Sequence, residues 1–372
     1  MHILVTNDDG PPSNHSSPYI HSLVTTLQQA GHTVSVVLPH TQRSWIGKAH
    51  LVGHAVKPTY FRPSPLTIDP ATGRFSNTGS TSPHPLPKSS SSEEWILIDS
   101  TPASCVQVGL YHYFSSRGPI DLVISGPNYG RNSTAVFALS SGTIGGAMEA
   151  AVCGKRAIAL SYAFFDRNHD ARIISEASAL AARLVQHLYD HWDEGTHLYT
   201  VNVPLVEGVE KRKVVYTEML QNFWRSGSCF QAVEVPVLEC ESAEEAEEDV
   251  RREEVEQGRL ELVRSRSRER KLNGTGSGDG NETARPDGTA TEEEERIREE
   301  EEDAREGAEK HIRYTHKHFH WAPQFKDVYQ SVEESAPGND GWAVAQGYTS
   351  VTPLRANFMH VHGFSGQEIK LE

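Results

Sequence analysis

Apolar positions in this chain fall in short unbroken runs separated by amphipathic stretches. Ile3-Leu4-Val5 reads as a strand covered on both faces, since such a strand shows no apolar/polar alternation. Loop residues Pro11-Pro12-Ser13-Asn14-His15-Ser16-Ser17-Pro18 follow, and Tyr19 to Ala30 then carries helical periodicity that Gly31 ends. Thr33 to Leu38 is a second strand. Strand, helix and strand at this spacing form a βαβ unit, which predicts a mostly parallel sheet with right-handed crossovers. The pattern recurs in Trp95 to Ile98, in a helix over 101–114 with Pro102 at an early position, and in a strand from Ile120 to Ser125. A small-residue helix opens at Ser141-Gly142-Thr143-Ile144-Gly145-Gly146 and closes near Gly154, ahead of a strand from Ala157 to Ser161. A helix from Glu176 to Trp192, with Ser175 as its N-cap, and strands at Leu198 to Val203 and Val214 to Met219 complete the series. The fold class is α/β, a mostly parallel sheet flanked by helices, with a C-terminal β extension.

Two stretches break the rhythm. Residues 64–92 are rich in Ser, Pro, Thr and Gly and read as a low-complexity surface loop with little capacity to pack. Residues 241–310 hold 25 acidic and 13 basic side chains, so most of the chain's net charge of −15 belongs to this one segment. It reads as an acidic, partly disordered insertion, with charged helical ends around a Gly-, Thr- and Asp-rich middle. The expected organisation is a core over 1–240, the insertion over 241–310, and the C-terminal part of the same core over 311–372. Arg264, Arg266, Arg268 and Arg270 interrupt the acidity, and the flanking Glu runs oppose phosphate, so no specific nucleic-acid binding is expected.

The four cysteines show neither a C-x-x-C pair nor zinc-ligand spacing, and the first residues read as a strand with no charged n-region and no long apolar stretch, so neither a signal peptide nor a membrane span is expected. A cytoplasmic location and no membrane partner are expected. His316, His318 and His320 alternate along a predicted strand; exposed imidazoles are the plainer reading there, and a metal site the sharper one.

The chemistry concentrates at strand ends. Asn7-Asp8-Asp9-Gly10 puts two adjacent carboxylates where the first strand stops, the edge at which ligands of open α/β sheets bind. An Asp-Asp-Gly turn accounts for this on conformational grounds; a shared hard cation such as Mg²⁺ or Mn²⁺ accounts for it on electrostatic ones. The loop His40-Thr41-Gln42-Arg43-Ser44 lies at the same edge, as does Ser125-Gly126-Pro127-Asn128-Tyr129-Gly130-Arg131-Asn132. The helix start after Ser141 exposes backbone N–H groups suited to an anion.

Together with Thr101-Pro102-Ala103, Asn202-Val203-Pro204 and Gly347-Tyr348-Thr349-Ser350-Val351-Thr352-Pro353-Leu354, these loops resemble the SurE family of metal-dependent phosphomonoesterases, the 5′/3′-nucleotidases with a Rossmann-like core. The resemblance implies Asp8, Asp9, Ser44 and Asn128 as ligands of a divalent ion (Mg²⁺ or Mn²⁺), with Asp8 and Asp9 catalytic. It implies Asn132, Ser141, Gly142 and Thr143 as the phosphate-binding group, and a small phosphomonoester as substrate. Compact members of the family tend to be dimers or tetramers built with C-terminal elements, and because they lack the acidic insertion the resemblance leaves assembly open here, a homo-oligomer being one assembly it allows. The chain departs from the family pattern at Pro11-Pro12, at Ser104 in place of Asp, and at Trp45-Ile46 in place of smaller residues; Trp45 either stacks on a base or closes the pocket. The alternative function is a non-catalytic nucleotide-binding or scaffold protein working through the acidic insertion. A dinucleotide-dependent oxidoreductase is set aside because no G-x-G-x-x-G turn follows the first strand.

Overall fold

The computed structural model describes residues 1–53, 55–87, 89–165, 169–225, 227–238, 312–323 and 325–358. The acidic stretch 241–310 and its expected helical ends lie outside these residues. By contacts the chain divides into two units, one of 1–226 with 325–372 and the other of 227–324.

The first unit is built on a ten-stranded sheet. Its strands are β1 (His2–Thr6), β2 (Thr33–Pro39), β3 (Pro58–Pro63), β4 (Gly79–Ser82), β5 (Trp95–Ile98), β6 (Leu122–Tyr129), β7 (Arg156–Ala163), β8 (Leu198–Pro204) and β9 (Val214–Tyr216), joined late in the chain by β12 (Thr349–Leu354). The spatial order is β4-β3-β5-β2-β1-β6-β7-β8-β12-β9. From β5 to β8 all neighbours are parallel, whereas β3 and β4 pair antiparallel at one edge and β12 runs antiparallel to β8 at the other. The α/β, mostly parallel, helix-flanked architecture read from the sequence is therefore the observed one.

Helices α1 (Ile20–Gln29) and α5 (Ala171–Asp190) cover one face, and α2 (Pro102–Tyr111) and α4 (Gly142–Val152) the other; the short α3 (Ala135–Ser140) precedes α4. The pleat of β1 sends Ile3 and Val5 to the first core and Leu4 to the second, which is why its apolar run is unbroken. Each fully buried aliphatic side chain of this kind contributes about 1.5–3 kcal/mol. Late in the chain, α6 (Lys326–Glu333) and α7 (Asp340–Ala345) belong to the same unit.

Several boundaries move. The helix expected from Glu176 starts at Ala171, because Asp170 caps it through Arg172 N–H at 2.7 Å and Ile173 N–H at 3.4 Å, ahead of Ser175. Strand β6 runs past Ser125 through Gly126-Pro127 to Tyr129. Its pairing with β7 shifts register between Ser125 and Asn128, and a Cβ on Gly126 would lie 2.0 Å from the Leu160 carbonyl oxygen. Only glycine permits that approach, and the resulting bulge carries Asn128 forward to the sheet edge. Within 64–92, Gly79–Ser82 pairs with β3, an edge contact made by backbone and invisible in a Ser- and Pro-rich composition.

In the second unit, β10 (Phe230–Leu238) and β11 (Ile312–Trp321) form an antiparallel two-stranded sheet. His318 and His320 sit two apart on β11 and are half-buried. Among the described residues no group of three His, Cys, Asp or Glu side chains is arranged to hold a metal.

Candidate active site

The chain leaves β1 for β2 on one side of the sheet and reaches β6 on the other, so the order reverses between β1 and β6. Ligands of open α/β sheets bind in the crevice at such a switch point. Asp8 follows β1 and Asn128 lies near the end of β6, facing that crevice.

The turn after β1 is closed by Asn7. Its Oδ1 accepts from Gly10 N–H at 3.0 Å, while its Nδ2 donates to the Gly10 carbonyl at 2.9 Å and to Ser17 Oγ at 3.1 Å. Gly10 takes φ +86°, a left-handed conformation natural to glycine. With Asn7 spent on the turn, Asp8 is left to line the crevice, with Asp9 buried beside it. Arg43 N–H donates to the Asp8 carbonyl at 2.6 Å, which ties the loop after β2, and Ser44 with it, to this turn.

Helix α4 presses onto Asp8 from the opposite side. A Cβ on Gly142 would meet Asp8 Cβ at 2.8 Å, and one on Gly145 would meet the Gly47 carbonyl oxygen at 2.3 Å, so the small residues of this helix are spatial requirements. Ser141 caps the helix by accepting from Ile144 N–H at 3.0 Å. Thr143 Oγ1 donates to Asp8 Oδ1 at 2.6 Å and lies 3.3 Å from Asn128 Oδ1. Asn128 Nδ2 is occupied by the Gly130 carbonyl at 2.7 Å, which turns its amide oxygen toward Thr143. One hydroxyl carries one proton, and the shorter contact assigns it to Asp8; the Asn128 oxygen is then an acceptor without that donor.

Asp8 and Asp9 are each only 2% exposed. Burial raises Asp8 to about 6, against hydrogen bonds from the Thr143 hydroxyl and from backbone N–H groups including those of Gly142 and Thr143. Burial, and then the neighbouring Asp8 charge, push Asp9 well above the usual carboxylate range, although Tyr129 N–H donates to its Oδ2 at 2.7 Å. Among the described residues no Lys, Arg or His pairs with either carboxylate.

The crevice opens into a cavity of about 460 Å³. Asp8, Ser44, Asn128, Asn132 and Ser141 line it; Asp9, Gly142 and Thr143 stand behind this lining and act on it through Asp8, Tyr129 and Asn128. Asn132 is anchored, its N–H on Asn202 Oδ1 at 2.8 Å and its Nδ2 on Ser161 Oγ at 3.0 Å. The residues fit a hard divalent cation in kind: the Asp8 carboxylate with that of Asp9 buried beside it, the Asn128 amide oxygen and the Ser44 hydroxyl are oxygen donors, and neither carboxylate has a cationic partner among the described residues.

Sequence reasoning missed most of the cavity's far wall. Trp45 packs on Phe325 (ring centroids 6.0 Å, 23° between planes) and on Phe137 at 5.9 Å, with Trp224 at 6.4 Å. Arg131, Phe164 and Tyr329 close another side. Arg131 was in view within its motif but carried no role, and Phe325 and Tyr329 lie about 200 residues further along the chain, so no local signal marks them.

The sequence model of the family described as Survival protein SurE matches residues 3–226. A curated relative from Saccharomyces cerevisiae, described as a probable tubulin–tyrosine ligase, is 40% identical over 241 residues; the match covers 60% of this chain and 31% of that protein. The 5′-nucleotidase SurE of Ruegeria pomeroyi is 32% identical over 237 residues, covering 62% of this chain and 77% of the relative, and that of Roseobacter denitrificans is 36% identical over 215 residues, covering 56% and 70%. The crystal structure of a SurE protein from Aquifex aeolicus superposes with a TM-score of 0.52 at 19% identity, over 96% of this chain and 95% of that one, a likeness of fold alone.

Proposed function

The chain belongs to the SurE family, and on that premise we propose that it is a metal-dependent phosphoric monoester hydrolase acting on nucleoside monophosphates and other small phosphate esters. The observation that carries this reading is the pair of buried, adjacent carboxylates without a cationic partner among the described residues, set beside a helix N-terminus. The yeast relative's ligase name carries no weight here, since the match spans 31% of that protein.

Asp8, Asp9, Ser44 and Asn128 would hold the ion, Mg²⁺ or Mn²⁺. Once bound, it would neutralise phosphoryl oxygens and make a coordinated water more acidic. The protein's own part is positioning. Thr143 fixes one Asp8 oxygen, Gly130 fixes the Asn128 amide, and the N-terminus of α4, whose first N–H groups are spent on Asp8 and on Ser141, adds the positive end of its dipole on the Asp8 side of the cavity. Ser141 and Asn132 line the same space. We further assign the stretch 241–310 no part in the chemistry: a chain lacking it is expected to keep its phosphate release, and loss of release from a folded deletion variant would show otherwise.

Trp45 lines the cavity and packs on Phe325, Phe137 and Trp224; of its two readings, closing the pocket and stacking on a base, the second is the one we put to test. Trp45→Ala is expected to raise KM for nucleoside monophosphates about tenfold, in line with a base–aromatic stack of about 1–3 kcal/mol. KM for an aryl phosphate without a base should change less. The test is steady-state phosphate release from both substrate types by wild type and variant; equal effects on the two would remove the base-stacking role.

A further inference from the structure

Arg131 extends from the β6 loop across the end of β7. Its Nη2 donates to the Phe164 carbonyl at 3.4 Å, and its guanidinium lies 5.2 Å from the Phe165 ring and 5.8 Å from that of Tyr329 in α6. Two aromatic faces and a long carbonyl contact hold the group in place without neutralising it. Among the described residues no carboxylate pairs with it. It is half-buried and lines the same cavity as Asp8, Asn128 and Ser141.

The sheet order β1-β6-β7 sets the scale. Asp8 follows β1 and Phe164 follows β7, strands that stand two spacings, about 10 Å, apart with β6 between them. Asp8 and Arg131 line one cavity, and a phosphoryl group bound there could accept a charge-assisted hydrogen bond of about 2.7–2.9 Å from the guanidinium. The guanidinium fork matches phosphate oxygens in a way that a lone ammonium does not.

We propose that Arg131 is the second cation of the site, binding the phosphoryl oxygens from the side opposite Asp8 and Asp9. This rests on the phosphatase reading above and adds a residue to it. Because the phosphoryl group is common to all substrates, removing the guanidinium acts on every ester alike.

The experiment compares wild type, Arg131→Gln and Arg131→Lys in two assays. In the first, kcat/KM is measured with a nucleoside monophosphate and with an aryl phosphate; Arg131→Gln is expected to lose at least tenfold on both, with partial recovery in Arg131→Lys. In the second, binding of inorganic phosphate is measured by calorimetry in EDTA, where Arg131→Gln should weaken it at least fivefold, a readout that needs no turnover and no metal. Thermal denaturation of each variant establishes that it is folded. A loss confined to the nucleotide would place Arg131 on the leaving group and overturn the proposal, as would unchanged phosphate binding in Arg131→Gln. If wild type itself releases no phosphate from any ester, the hydrolase reading fails, while the phosphate-binding comparison still decides whether Arg131 binds the anion.

Discussion

Asp8→Asn is expected to lower metal-dependent phosphate release by about 10³-fold or more while leaving the protein folded. Asparagine keeps the shape of the side chain, and its amide oxygen can still accept from Thr143 Oγ1, which now lies 2.6 Å from Asp8 Oδ1. The contact with Gly142 is also preserved, since no volume is added against a helix already packed onto Asp8. What disappears is one negative charge in a pair buried to 2% exposure. The cation then faces one carboxylate where it had two, in surroundings that screen little. Release by the variant within a few-fold of wild type would remove Asp8 from the metal site.

The second large effect is on stability. Burial holds Asp8 at about 6 and Asp9 well above the usual carboxylate range. A carboxylate whose folded value is raised binds its proton more tightly in the folded state. The stability it confers is full below the unfolded value near 4 and is lost as pH rises through the folded value. For Asp8 alone the loss is on the order of 3 kcal/mol, which for a chain of this size corresponds to about 4 °C in Tm. In EDTA, Asp8→Asn should therefore melt above wild type at pH 7.5, and the gap should shrink toward pH 4. Added Mn²⁺ should raise the wild-type Tm at pH 7.5 and change the variant much less, because binding to the folded state alone stabilises by mass action. Thermal melts of both proteins over this pH range, with and without Mn²⁺, provide the check; a gap that does not depend on pH would contradict the account.

The sequence made the central strands legible because burial on both faces leaves unbroken apolar runs, as in Ile3-Leu4-Val5. The Asp8-Asp9 pair was legible because its place at a strand end follows from that run. The glycines of α4 could be seen but not interpreted: that Gly142 makes room for Asp8 and Gly145 for the Gly47 carbonyl is a fact of three dimensions. Strand β4 stayed hidden because its pairing with β3 is made by backbone in a composition poor in apolar residues. The helix boundary at Ala171 was misplaced because Asp170 and Ser175 are both competent caps, and packing of Ala171 and Ile174 into the core chooses between them. The far wall of the cavity was out of reach for another reason. Phe325 and Tyr329 return to the site from beyond a long acidic stretch, and the direction of the Arg131 side chain is set by Phe165 and Tyr329.

The most direct test strips the wild-type protein of metal and measures phosphate release from a nucleoside monophosphate as Mg²⁺ or Mn²⁺ is added back. Release that is absent in EDTA and rises to saturation with the ion is the predicted result. Release undiminished in EDTA, or none with either ion from a folded protein, would contradict a divalent-cation site built on Asp8 and Asp9.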